Sequence, residues 1–252
     1  MKPVIAPPKV IVKSSTEAVV DYVAGMFKTV ICQTVADNGI CTLALAGGTT
    51  PRVMYQELAW ASEQVPWSCV EVFFGDERDV PLDNIESNYR MAQRSLLDHV
   101  PIQPARVHPM QADAEDIVAS AAEYERTIRQ IVPGGSNGTP SFDLILLGLG
   151  ADGHTASLFP ETELINAQRR LVGAHLVPVL GRKRMTFTFP LINAAHNVVM
   201  MVTGADKAGA VARLLGQDEH AKSLLPAAKV HPAELTIVLD AEAARWTDYK
   251  AE

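Results

Sequence analysis

Short apolar runs alternate with stretches of helical period along this chain, a rhythm that predicts an α/β protein. Ser14-Ser15-Thr16-Glu17 reads as a capping box, Ser14 with Glu17 three residues on. Apolar positions 19, 20, 23, 26, 27, 30, 31 and 34 follow at helical spacing, and Asn38-Gly39 closes that helix. The run Cys41 to Ala46 reads as a strand entering Gly47-Gly48-Thr49-Thr50-Pro51, with proline suited to the first turn of a helix over 51–61. Val70 to Phe74 is a strand with Gly75-Asp76-Glu77-Arg78 at its end. Ser87 is expected to cap a helix ending near Val100, and a charged helix is expected over about 114–132. Phe142 to Leu147 is a buried strand that breaks at Gly148-Leu149-Gly150 and then delivers Asp152, Gly153 and His154. The pattern weakens over 161–180 and alternates again from Met185 to Phe189, with Arg182-Lys183-Arg184 just before. Buried strands are expected at 198–202, ending in Thr203-Gly204-Ala205-Asp206-Lys207 and a helix to Leu215, and at 235–239.

This order implies a mostly parallel sheet covered on both faces, a Rossmann-like three-layer αβα sandwich in one domain over 1–252. The glycine-rich stretch at 133–140 joins a helix to a strand and reads as a surface loop. Four strands end in AGGTT, GDER, GLGADGH and TGADK. If those strands are parallel and adjacent, all four loops open on one edge of the sheet, where such folds bind ligands. A polar, phosphorylated small molecule is the expected occupant.

Composition narrows the partners. A net charge of −7 argues against a nucleic-acid partner, which needs a basic face. A few local cations and backbone N–H groups still suffice for one phosphate. The opening MKPVIAPPKV is not read as a signal peptide, and no run is read as approaching a membrane span. Cys32, Cys41 and Cys69 have no metal-type spacing and suit a reducing, cytoplasmic compartment.

Two familiar patterns fail on context. Gly148-Leu-Gly-Ala-Asp-Gly153 satisfies GxGxxG, but Pro160 cuts any following helix short and no strand ends in an acidic residue at the required distance. Gly134-Gly-Ser136-Asn-Gly138 satisfies GxSxG, but it follows a helix and precedes a strand, the reverse of a nucleophile elbow. His154 is the sharp candidate for a general base, since it stands on a glycine loop at the favoured edge, two residues past Asp152. Asp152 also suits a plain Asp-Gly turn, Asp76 and Arg78 a surface ion pair, and Lys207 a helix-face charge that the helix dipole disfavours unless an anion is near. The other histidines lack ligand spacing, so no metal is expected.

LALAGGTTP, FFGDERDVPLDNIESNYRMA and DLILLGLGADGHTASLFP, with RMTFTF and TGADKA, closely resemble 6-phosphogluconolactonases in order and spacing from about residue 15 to 240. The resemblance implies hydrolysis of 6-phospho-D-glucono-1,5-lactone in the oxidative pentose phosphate pathway, with no cofactor, by a monomer or small homo-oligomer. It also implies the sheet architecture shared with glucosamine-6-phosphate deaminases. By position, His154 resembles the water-activating base with Asp152 beside it, and Asp76 and Arg78 match the DER motif at the active site. Gly47, Gly48 and Thr49 resemble the loop holding the sugar phosphate. Lys207 and one of Arg182, Lys183 and Arg184 match basic positions facing the phosphate or the carbonyl, and register with MTFTF favours Arg184. A deaminase would continue past DGH with an Asn-Glu-Pro-type segment, where this chain has Ser157-Leu-Phe-Pro160. A sugar-phosphate-binding regulator would need an added partner module, and none is visible at this length.

Overall fold

The computed structural model describes residues 7–135 and 137–252. A six-stranded sheet runs in the order β1 (Lys9–Lys13), β9 (Glu234–Asp240), β8 (Asn197–Val202), β5 (Leu144–Leu147), β2 (Cys41–Leu45) and β3 (Val70–Phe74). Every pairing in it is parallel. β2, β3 and β5 are buried at every position, which requires cover on both faces. That cover comes from helices α1 (Thr16–Asn38), α2 (Thr49–Trp60), α3 (Asn88–Ser95) and α4 (Ile117–Ile131), with the shorter α5 (Phe189–Ile192), α6 (Ala208–Leu215), α7 (Glu219–Ser223) and α8 (Ala241–Ala244).

Local chemistry sets the helix ends. The cap of α1 is Ser15, whose hydroxyl accepts from the Ala18 N–H, so the expected box on Ser14 is displaced by one residue. At the other end Gly39 takes φ 78° and returns its N–H to the Val35 carbonyl, as a helix-ending glycine does. This helix is long and apolar enough to cross a membrane by length and composition, which corrects the reading that no run approaches a span. Its apolar stripe, including Val19, Val23, Phe27 and Ile31, is buried in the core. α2 begins at Thr49, earlier than Pro51, while α3 and α4 are shorter than expected. Ser136, in the loop before β5, lies outside the described residues, as do 1–6 at the start of the chain.

A second sheet was not anticipated. β4 (Asp76–Arg78), β7 (Arg182–Phe187) and β6 (Val172–Val177) pair antiparallel in the order β4-β7-β6. β4 leaves β3 after the single residue Gly75, whose carbonyl accepts the Phe187 N–H and so ties the two sheets together. Phe73, Phe142 and Phe187 continue that tie as edge-on and tilted ring pairs with centroids 5.3 and 5.4 Å apart. β6 also carries the buried His175, whose Nε2 lies 2.8 Å from the Ser157 carbonyl, so this nitrogen holds the proton.

Burial pushes the His175 imidazole below its ordinary value, and the bond to Ser157 only partly offsets this. The unfolded chain then takes up a proton that the folded one resists as pH falls below about 6.5. The protein should therefore lose thermal stability on acidification from pH 7.5 to 5.5, and His175→Gln, which keeps a donor, should show a shallower loss. Equal slopes for the two proteins would contradict this account of His175.

Candidate active site

β8, β5, β2 and β3 are adjacent and parallel, so the four loops that follow them do meet at one edge. They enclose a cavity of about 490 Å³. Gly47, Gly48, Thr49, Asp76, Arg78, His154 and Lys207 all line it. Asp152 stands behind His154, and Arg184 lies outside the wall.

The His154 ring is fixed from two sides. Its Nδ1 lies 2.6 Å from Asp152 Oδ1, which also accepts the His154 backbone N–H at 3.1 Å. Phe159 stacks on the ring with centroids 4.0 Å apart. Gly150 makes the arrangement possible, because a Cβ there would stand 2.1 Å from Nδ1 and 2.5 Å from Asp152 Oδ1. Partial burial raises the Asp152 carboxyl, but the His154 N–H and imidazole outweigh it and leave its pKa below the ordinary value. An ionised carboxylate only accepts, so Nδ1 carries the proton and Nε2 is left with a free lone pair.

The opposite wall carries backbone N–H groups and a lysine. Gly48 (φ 115°) caps α2 with no side-chain bond, so the N–H groups of Thr49 and Thr50 at the helix start are open to a ligand. Thr50 and Thr203 hydroxyls meet at 2.8 Å and join this turn to the loop after β8. Lys207 comes from that loop, 3.1 Å from Asp206. The loop itself is held by the buried Asp240, whose carboxylate accepts the Gly204 N–H, the Thr16 hydroxyl and the Ala243 N–H.

Strand alternation explains the third wall. Asp76 and Arg78 face the cavity, while Glu77 points inward and is fully buried. Glu77 accepts from the Arg78, Asn88 and Tyr89 N–H groups at 2.8 Å and from the Ser87 hydroxyl at 3.0 Å, which locks β4 to the start of α3. Burial pushes its carboxyl above the ordinary range, and these four donors pull it back in part. Asp76 accepts from Ser157 Oγ at 2.7 Å and Asn88 Nδ2 at 3.2 Å. A Cβ on Gly47 would fall 2.0 Å from Asn88 Oδ1, so that glycine is a matter of space. Asn88 and Ser157 are the site residues that sequence reasoning passed over. Asn88 follows the recognised cap Ser87, but its contact with Asp76 crosses from a helix to a strand and leaves no local signal.

Arg184 sits directly opposite Arg78 in the β4–β7 ladder. Burial and then the Arg78 charge lower its pKa. Like charges placed opposite each other are unfavourable unless an anion is near. Asp79, 3.9 Å from Arg184, supplies part of that compensation. Arg182 turns away toward Asp79 and Glu86.

Residues 14–239 match the model of the family described as glucosamine-6-phosphate isomerases/6-phosphogluconolactonase. A 6-phosphogluconolactonase of Synechocystis is 39% identical over 237 residues, covering 94% of this chain and 97% of that protein. The structure of 6-phosphogluconolactonase from Trypanosoma cruzi superposes with a TM-score of 0.83 at 29% identity, covering 96% of this chain and 98% of that one. A monomeric glucosamine-6-phosphate deaminase shares the fold at a TM-score of 0.80 and 20% identity, over 95% of this chain and all of that one.

The Glu77 knot gives a direct expectation. Glu77→Ala strands four donors, and should lower the unfolding free energy by about 2–4 kcal/mol in denaturant titrations. A loss below about 0.5 kcal/mol, the range of an ordinary surface change, would show that the knot is dispensable.

Proposed function

The chain belongs to the family of glucosamine-6-phosphate isomerases and 6-phosphogluconolactonases, and on that footing we propose how its residues divide the work of a lactonase. The protein hydrolyses 6-phospho-D-glucono-1,5-lactone to 6-phospho-D-gluconate in the pentose phosphate pathway. The observation that carries the assignment of roles is the 2.6 Å contact between Asp152 and His154 on the cavity wall.

The substrate phosphate docks at the first turn of α2, on Gly48 and Thr49 beside Gly47, with Lys207 and Arg78 supplying positive charge around the sugar and Arg184 adding its charge from behind Arg78. The phosphate acts as a handle whose binding energy orients C1. His154 Nε2 takes a proton from water as the oxygen adds to the C1 carbonyl. The cations stabilise the oxyanion. The imidazolium, steadied by Asp152, returns the proton to the ring oxygen as the C1–O bond breaks. A δ-lactone is an activated ester, so no covalent nucleophile is required. Asp76, oriented by Ser157 and Asn88, is free to accept from substrate hydroxyls. The free Cys32, Cys41 and Cys69 support a reducing compartment, and we place the reaction in the cytoplasm.

The lactonase reading is favoured over aldose–ketose chemistry by the carboxylates at hand. Among the described residues lining the cavity these are Asp76 and Asp206. The first is bound by Ser157 and Asn88 and the second is paired with Lys207. Neither bonds to the His154 ring, whose carboxylate partner is Asp152.

Two variants separate chemistry from binding. His154→Asn should stay folded and bind 6-phosphogluconate, while turnover of the lactone falls by about 10²–10⁴-fold after subtraction of spontaneous hydrolysis. In the native enzyme activity should fall as acid neutralises Asp152, whose contribution is present above the unfolded value of about 3.9 and lost as pH falls through its depressed one. A folded Asn variant with near-native turnover would overturn the mechanism. Lys207→Ala should instead raise KM by about 10–100-fold, the equivalent of a lost charged hydrogen bond, and unchanged kinetics would remove it from the phosphate site.

A further inference from the structure

We propose that the groove between α4 and β6 is a second ligand site, for a small phosphate-rich molecule with a flat body, of the nucleoside di- or triphosphate class. The groove measures about 470 Å³, close to the active-site cavity, and none of its lining residues belongs to that cavity. Its size falls in the range that small-molecule sites occupy.

Four arginines converge on it from two elements. Arg126 and Arg129 are three residues apart on α4 and so share a face, and Arg169 and Arg170 immediately precede β6. In a protein with a net charge of −7 this concentration of positive charge is not background. Among the described residues the one carboxylate lining the groove offsets only part of it. Glu125 Oε1 is taken by Arg129 Nε and Nη2 at 3.0 and 2.7 Å, and Oε2 by the Leu171 and Val172 N–H groups at 2.8 and 3.2 Å. Glu125 is therefore a brace that fixes α4 against β6 and sets the width of the groove. Arg126 pairs with Glu123, but both side chains are about two-thirds exposed, so that pair is weak and readily exchanged. Among the described residues Arg169 and Arg170 have no carboxylate within ion-pair distance.

The floor sets the ligand class. Val118 and Ala122 of α4 present small apolar side chains to the groove, above the buried Ala121, Val172 and Ala174. The open side of Gly173 is filled by Leu164 and, farther out, by the stem of Arg170, whose Cδ lies 3.4 Å from where a Cβ would stand. A flat ring can pack against Val118 and Ala122 beside planar guanidinium groups, which stack on π-faces and bind phosphates bidentately. Inorganic anions alone would leave this floor unused.

Calorimetric titration of the full chain with ADP at low ionic strength tests the site, with 6-phosphogluconate present at saturation to occupy the catalytic cavity. The expected result is saturable binding at one site per chain, weaker for pyrophosphate, and weakened at least about tenfold by the double change Arg169→Ala, Arg170→Ala. Should that double variant fail to fold, Arg126→Glu on the exposed side of α4 reverses one charge in the same rim and should weaken ADP likewise. Lactonase activity should be unchanged in either variant. The proposal is overturned if ADP gives no saturable binding, if 6-phosphogluconate abolishes it, if the variants bind ADP as the native protein does, or if pyrophosphate binds as tightly as ADP.

Discussion

Parallel pairing of β3, β2, β5 and β8, each strand bonded to the next, is the constraint from which the active site follows. A parallel strand cannot turn back directly, so each must send its chain out at the carboxyl edge and return it through a helix or another crossover. Four such exits in a row bring together the α2 turn, the Asp76–Arg78 strand, the His154 loop and the Lys207 loop. None of these segments is near the others in sequence. The second sheet then closes one side, through the Gly75–Phe187 bond and the shared phenylalanine cluster.

Within that frame most polar groups are already committed. Glu77 is used up by α3, and Asp240 by Gly204, Thr16 and Ala243. Asp76 is oriented by Ser157, which is itself held by Thr186 and His175 of the second sheet. These buried bonds fix geometry more than they add net stability, since each replaces a bond to water. The groups left with capacity toward the cavity include His154 Nε2, the remaining lone pairs of Asp76, the open turn of α2, and the cations Arg78 and Lys207. Those are the groups a phosphorylated lactone needs.

Much of this was legible in the sequence because it is local. Buried strands ending in glycine-rich polar clusters announced both the sheet and the edge, and the reading of four loops at one edge agrees with the strand order. What escaped notice was short or non-local. β4 spans three residues after Gly75, and β6, VGAHLV, carries a glycine and a histidine where a strand pattern is sought. Ser14 and Ser15 are equivalent as letters, and only the path of the chain selects Ser15 as the cap. Ser157 acts on Asp76 across 81 residues, so no window of sequence contains the pair. The alternation from Met185 to Phe189 puts Arg184 just before a strand, whereas it lies inside β7, opposite Arg78 in the second sheet.

The central claim is that Asp152 fixes His154 in the tautomer that leaves Nε2 bare toward the cavity. The ¹⁵N chemical shifts of the His154 ring, assigned in the native protein at a pH where the imidazole is neutral, test it most directly. The account predicts a protonated Nδ1 and an unprotonated Nε2, with the opposite pattern or an averaged one appearing in Asp152→Ala. A native ring protonated at Nε2 would contradict it, because that nitrogen could then accept no proton from water.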